Sequence, residues 1–305
     1  MINGFKVLAQ GLQATIQDSG RKGYGDIGVT EAGVMDEYAY HWANKLLGNE
    51  YGTNTIEVAF GGLKLQAVGL THFVVTGANV NVKVGGKLVP CWKTHRINDG
   101  EILEIAFATL GQRIYLSVLG GYDIESEFGS CSTSVKEGIG GIKGRALQKD
   151  DFIPFTPNKL TDNRLLPKSS HPDYESELTL RLVAGYQWDM FSKEEREKFF
   201  SNSYDVTNQS DRMGFRLSGE KIKADKGGIV SEPIAYGSVQ IPSHGEPIVL
   251  LKERQTIGGY PKIGSVIPID CFKLSQMKQG SKVRFKQVSH EEARVACKGF
   301  YEFFS

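Results

Sequence analysis

Glycine punctuates this chain so often that long regular elements have little room to form. Of its 305 residues, 36 are glycine, against a usual share of about 7%. Each glycine inside a helix or strand costs backbone entropy, so such a chain is built from short elements joined by turns. Between the glycines lie runs rich in branched residues, at 55–59, 63–66, 72–76 and 80–84, which fit short strands. Gly85 and Gly86 suit a two-residue hairpin leading into 87–91. Further strands are expected at 102–107, 114–119, 178–183, 204–206, 229–230, 239–241, 248–251, 266–269 and 283–288. Strands this short and close describe a mainly β protein with a closed or folded-over sheet.

Helices are few. The clearest follows Asp36, a good N-cap, with Ala39, Trp42, Ala43, Leu46 and Leu47 on one face and Gly48 just past the end. Ser192 with Glu195, and Ser289 with Glu292, have capping-box spacing, and Asp270 is placed to cap a helix over 271–277. The length suggests two domains. A polar stretch carrying Pro157, Pro167 and Pro172 separates them, giving 1–155, a linker at 156–177 and 178–305.

Lys plus Arg is 36 and Asp plus Glu is 35. That balance argues against nucleic acid, whose binding leans on a basic surplus. The start, MINGFKVLAQG, has no secretory pattern, and no run reaches the ~18 apolar residues of a membrane span. The four cysteines form no CxxC pair and the histidines are scattered. A cytoplasmic protein without a metal site is the expectation.

Chemistry-bearing residues gather in four places. In the stretch 210–261, Asp211 and Arg212 precede Gly214, and an apolar strand runs into Glu253, Arg254, Gln255 and Thr256 before Gly258, Gly259 and Tyr260. With Gln240, this supplies an amide, a hydroxyl, a carboxylate and a cation, a set suited to a small polar amide, lactam or carboxylate. Gln17, Asp18 and Arg21 can hold a planar amide or, equally, only brace their own loop. Ser130, Ser132 and Thr133, in GSCST, can cradle an anion or form a plain hydroxyl-rich turn. The loop GIGGIKGR matches neither standard nucleotide fingerprint, though Arg145 can meet an anion.

In order along the chain stand TIQDSGRKGYGDIGV, the Met-Asp at 35–36, ANKLLGN, GSCST, GGIKGR, SDRMGFRLSG, SVQIP and QTIGGYP. This ordered set resembles the biotin-dependent carboxyltransferase-like family: KipA proteins, the C-type subunit of bacterial 5-oxoprolinase and the matching part of urea carboxylase, once labelled allophanate hydrolase subunit 2. The resemblance implies two cyclophilin-like β-barrel domains and a KipI-like B-type subunit as partner. Where that family more often has arginine and aspartate, this chain has Cys131 and Glu253.

The expectation drawn from this resemblance is the C-type subunit of an ATP-dependent 5-oxoprolinase complex, with B-type and A-type subunits, helping to open 5-oxoproline to glutamate. Asp18, Arg212 and Glu253 would take catalytic roles. Gln17, Arg21, Ser130, Ser132, Thr133, Arg145, Gln240, Gln255, Thr256 and Tyr260 would bind substrate, and ATP would act through the complex. The alternatives are a carboxyltransferase acting on urea, fed by biotin on a separate carrier, and a KipA-like regulator that binds a KipI-like partner without turnover.

Overall fold

The structure, a computed structural model, describes residues 2–174 and 177–305. Glu175 and Ser176, within the expected linker, lie outside the described residues. The chain divides into two compact units, Met1–Gly23 with Glu31–Tyr174, and Tyr24–Thr30 with Glu175–Ser305. Residues 156–174 therefore belong to the first unit. Leu166 N–H donates to Trp92 O, Thr94 N–H donates to Arg164 O, and Tyr174 is buried.

The first unit contains β1 (Gly4–Gln10), β2 (Gln13–Gln17), α1 (Glu37–Leu47), β3 (Thr55–Ala59), β4 (Gly61–Val68), β5 (Thr71–Asn79), β6 (Val82–Val84), β7 (Lys87–Val89), β8 (His95–Ile97), β9 (Ile102–Phe107), β10 (Leu110–Val118) and β11 (Phe152–Pro154). They form a six-stranded sheet, β11-β1-β4-β9-β6-β7, and a five-stranded sheet, β2-β3-β10-β5-β8. Both sheets feed one core: Leu63 and Leu65 from the first meet Phe73, Val75, Ile114 and Leu116 from the second. Successive strand side chains alternate faces. Val74 and Tyr115 therefore point the other way, to a second cluster with Ala39, Tyr40, Ala43, Leu46 and Leu47 of α1. Burial on both faces explains why β5 is nearly all buried. The helix is bounded as its sequence implies. Asp36 accepts from the Ala39 amide and Gly48 adopts the left-handed conformation.

The second unit contains β12 (Glu177–Ala184), α2 (Lys193–Ser201), β13 (Ser203–Val206), β14 (Gly214–Ser218), β15 (Glu232–Pro233), β16 (Ser238–Gln240), β17 (Ile248–Leu250), β18 (Ile257–Gly258), β19 (Lys262–Val266), α3 (Pro268–Leu274), β20 (Lys282–Val288) and α4 (His290–Phe304). Seven strands close a barrel in the order β12-β19-β16-β17-β14-β13-β20. All barrel pairings are antiparallel except the one between β12 and β20, which runs parallel from Glu177 opposite Lys282 to Val183 opposite Val288. The two-residue strands β15 and β18 make a separate ribbon.

Three local expectations change. Asp270 is not the cap of α3. It sits inside the helix, and its carboxylate takes Arg181 Nε and Nη2 at 2.9 and 2.6 Å. The strand expected at 266–269 ends at Val266, because Pro268 fixes a helical first turn. Residues 229–230 are not a strand, although Ile229 N–H donates to Gly259 O.

Candidate functional site

The Gln17, Asp18 and Arg21 segment and the GSCST loop do come together in the first unit. Strand β2 delivers Gln17, and the turn after it aims Asp18 at the loop. Asp18 Oδ1 accepts from Ser130 Oγ at 2.6 Å, Ser132 Oγ at 2.7 Å and the Gly20 amide at 2.8 Å. Its Oδ2 accepts from the Cys131 amide at 2.6 Å. The hydroxyl cradle therefore exists, but the anion in it is the protein's own Asp18. A carboxylate with four donors is a tie between two loops, the bracing that the sequence left open beside a binding role. Thr133 also turns inward, donating to Ile16 O at 3.0 Å.

Arg21 is 2% exposed and lies under the same loop. Its Nε donates to Glu127 O at 3.2 Å and its Nη2 to Ser132 O. Burial pulls its pKa below the ordinary value, against the charges of Asp18, Glu127 and Glu137. Gly140 packs so close that a side chain there would collide with Ser132 O and Arg21 Nη2, and its φ of 72° is one that glycine tolerates. Gln17 Nε2 donates to Thr133 O at 3.0 Å. Burial pushes the Cys131 thiol up, and its Sγ–H donates to Ile124 O at 3.3 Å. At the position where the resemblance implies a cation, burial favours the protonated thiol over the nucleophilic thiolate.

Arg145 does not await an anion either. Its Nη1 and Nη2 grip Asp151 at 2.7 and 2.8 Å, latching the loop to the approach of β11. The glycine-rich loop before it uses its amides internally: Gly138 N–H on Ser134 O, Gly140 N–H on Glu127 Oε2, Gly141 N–H on Cys131 O and Gly144 N–H on Gly140 O. Those amides cannot also cradle a phosphate, and this loop does not fit a nucleotide.

In the second unit the Arg212 side chain is 6% and that of Glu253 15% exposed, with Nε to Oε1 at 2.5 Å. The Glu253 amide also donates to Arg212 O at 2.9 Å. These bonds fasten the turn before β14 to the turn after β17, and Asp211 Oδ1 completes the first turn by accepting from the Met213 amide at 2.8 Å. Gln240 ends β16, buried, opposite Ile248 and Lys262. Gln255 and Tyr260 are exposed and Thr256 half-buried on the segment beyond Glu253.

Three polar residues lie outside the sequence motifs: Gln187, Glu232 and Lys262. The Lys262 ammonium pairs with the Glu232 carboxylate. Gln187 Oε1 accepts from the Lys262 amide at 2.7 Å, and Gln187 Nε2 reaches Glu232 Oε1 at 3.0 Å. Burial pushes the Glu232 carboxyl up, but hydrogen bonds from Lys262 and Tyr186 and the Lys262 charge outweigh it and hold it below the ordinary value. The one signal in the sequence is a lysine opening a short strand directly after GGYP. Among the described residues no group of three or more His, Cys, Asp and Glu can hold a metal, and no helix is long and apolar enough to cross a membrane.

Comparison with known proteins assigns this architecture. Residues 27–287 match the family described as carboxyltransferase domain, subdomain A and B. The chain is 36% identical to the C-type subunit of 5-oxoprolinase from Haemophilus influenzae, covering 92% of this chain and 90% of that one. It is 32% identical to the C-type subunit of 5-oxoprolinase from Escherichia coli, over 98% and 96% of the two chains. The urea amidolyase structure from K. lactis superposes with a TM-score of 0.92 at 27% identity, over 99% of this chain and 20% of that one. The chain thus spans about a fifth of that enzyme. The chain belongs to the carboxyltransferase domain, subdomain A and B family.

Proposed function

We propose that this chain is the C-type subunit of a 5-oxoprolinase, working with other subunits to open the lactam of 5-oxoproline to glutamate. The observation that carries this reading is end-to-end similarity, with 90% and 96% of the two 5-oxoprolinase subunits covered. In the urea amidolyases the corresponding region is only 17% of the chain.

The chemistry falls to the second unit. Opening a lactam builds negative charge on its carbonyl oxygen, and a preorganised cation answers that charge without rearranging. Arg212 is such a cation, held in place by Glu253. Gln240, Gln255, Thr256 and Tyr260 supply amide and hydroxyl groups to orient the ring. ATP supplies the phosphoryl group that makes the carbonyl oxygen a leaving group. With the 138–145 loop closed on itself, its binding is assigned to another subunit, of the KipI-like B type or of the A type.

The fold similarity to urea amidolyase favours a second reading, carboxyl transfer to urea from biotin on a separate carrier. The deciding assay follows glutamate release from 5-oxoproline and ATP by this chain alone, with a B-type subunit, and with B-type and A-type subunits together. Release only in the complete mixture is expected. Silence from an assembled complex would end the oxoprolinase reading. Carboxylation of urea with an added biotinylated carrier would then favour the second, and a tight inert complex a regulatory role.

A further inference from the structure

The ribbon of β15 and β18 covers two groups that a ligand would complete. Gln240 is 5% exposed, and among the described residues its Nε2 meets no acceptor. Gly258 of the ribbon lies directly over it, where a Cβ would sit 2.9 Å from that nitrogen. Glu232, the register partner of Gly258, holds the Lys262 ammonium. Lys262 is the cross-strand neighbour of Gln240. One small ribbon therefore carries both the glycine above the unpaired amide and the carboxylate that occupies the ammonium beside it.

A buried donor without an acceptor is unfavourable, and a buried lysine is tolerated only with a partner. An ammonium has three N–H donors, and Glu232 is its one ion-pair partner among the described residues. An amide N–H and an ammonium carried on register partners of adjacent strands supply the donor types that a carboxylate needs.

We propose that Gln240 and Lys262 form a carboxylate-recognition subsite, and that Glu232 is the internal carboxylate standing in for the ligand's. The ligand carboxylate takes Lys262 from Glu232 and accepts from Gln240 Nε2 as the ribbon shifts. The identity of the ligand rests on the oxoprolinase reading: 5-oxoproline carries a carboxylate, and urea carries none. Gln187, bonded to the Lys262 backbone and to Glu232, is a positioning residue that keeps both at this spot.

The test is calorimetric titration of this chain, assembled with its partner subunits, with 5-oxoproline and with its neutral carboxamide. The wild type is expected to prefer the acid by about tenfold or more. Lys262→Met should abolish that preference by weakening the acid far more than the carboxamide, and Lys262→Arg should retain it. Glu232→Gln removes the competing carboxylate and should tighten acid binding several-fold, a gain that a damaged fold cannot imitate. Equal affinity of the wild type for acid and carboxamide, binding of neither, or a preference that survives Lys262→Met would overturn the subsite. Glutamate release is measured on the same samples. Acid preference without release would overturn the oxoprolinase reading and leave the subsite standing; release without acid preference would do the reverse.

Discussion

Arg212 and Glu253 are joined twice, side chain to side chain at 2.5 Å and Glu253 amide to Arg212 carbonyl at 2.9 Å. The side-chain bond is a charge pair with little solvent to screen it. Removing one member takes a hydrogen-bonded charge partner from the other, at a cost on the order of 3 kcal/mol. Arg212 is the more buried of the two, so Glu253→Gln should destabilise more than Arg212→Met in urea titrations. The double variant should lose less than the sum of the two. Strict additivity would show that the pair is not coupled.

Asp18 offers a second check. Replacing it with Asn keeps the size but removes the charge and turns an NH₂ toward donors. Charge-assisted hydrogen bonds contribute about 1.5–3 kcal/mol each. Asp18→Asn should cost at least ~2 kcal/mol, a fall of about 4–8 °C in the melting of a unit this size by calorimetry. If Asp18 were a base poised for substrate, the variant would lose turnover and keep its melting temperature.

The Arg145–Asp151 latch sets a pH dependence. The hydrogen bond from Arg145 chiefly holds the Asp151 carboxyl below its ordinary value, against burial and with help from the Gln148 amide. A carboxyl depressed in the folded state contributes stability that is complete above its unfolded value of about 3.9 and is lost as pH falls through the lower folded value. The stability gap between wild type and Asp151→Asn should therefore be flat from pH 7 to about 5 and close in more acidic solution. A gap that widens on acidification would contradict the latch.

Tyr174 closes the first unit. Its hydroxyl donates to Asp36 Oδ2 at 2.7 Å, while Oδ1 caps α1. Burial, then the Asp36 charge, raises the phenol well above its ordinary range. Tyr174→Phe should cost about 1.5–3 kcal/mol, the worth of a hydrogen bond to a charged group. Thermal melting followed by near-ultraviolet circular dichroism would measure it.

Much of the fold is legible in the sequence because local rules decide it. Asp36 and Gly48 bound α1, Ser289 and Glu292 form the full capping box, and Gly85 with Gly86 joins β6 to β7. What stays hidden is set by distant partners. Nothing near Asp18 in the sequence says that the hydroxyls of Ser130 and Ser132 will fill its carboxylate from more than a hundred residues away. Arg145 reads as an anion binder because its neighbours are glycines, and its partner, Asp151, lies beyond the loop. Lys262 gives little signal because a lysine beginning a strand is ordinary until Glu232 and Gln240 are seen beside it.

The parallel pairing of β12 with β20 has a consequence for how the protein is made. Nearly a hundred residues separate the two strands, and synthesis adds about 5–20 residues per second. For roughly 5–20 seconds on the ribosome, β12 lacks that neighbour and the barrel stands open. A stalled or truncated product would present a raw sheet edge. The last strand made is the one that turns a sticky intermediate into a closed wall.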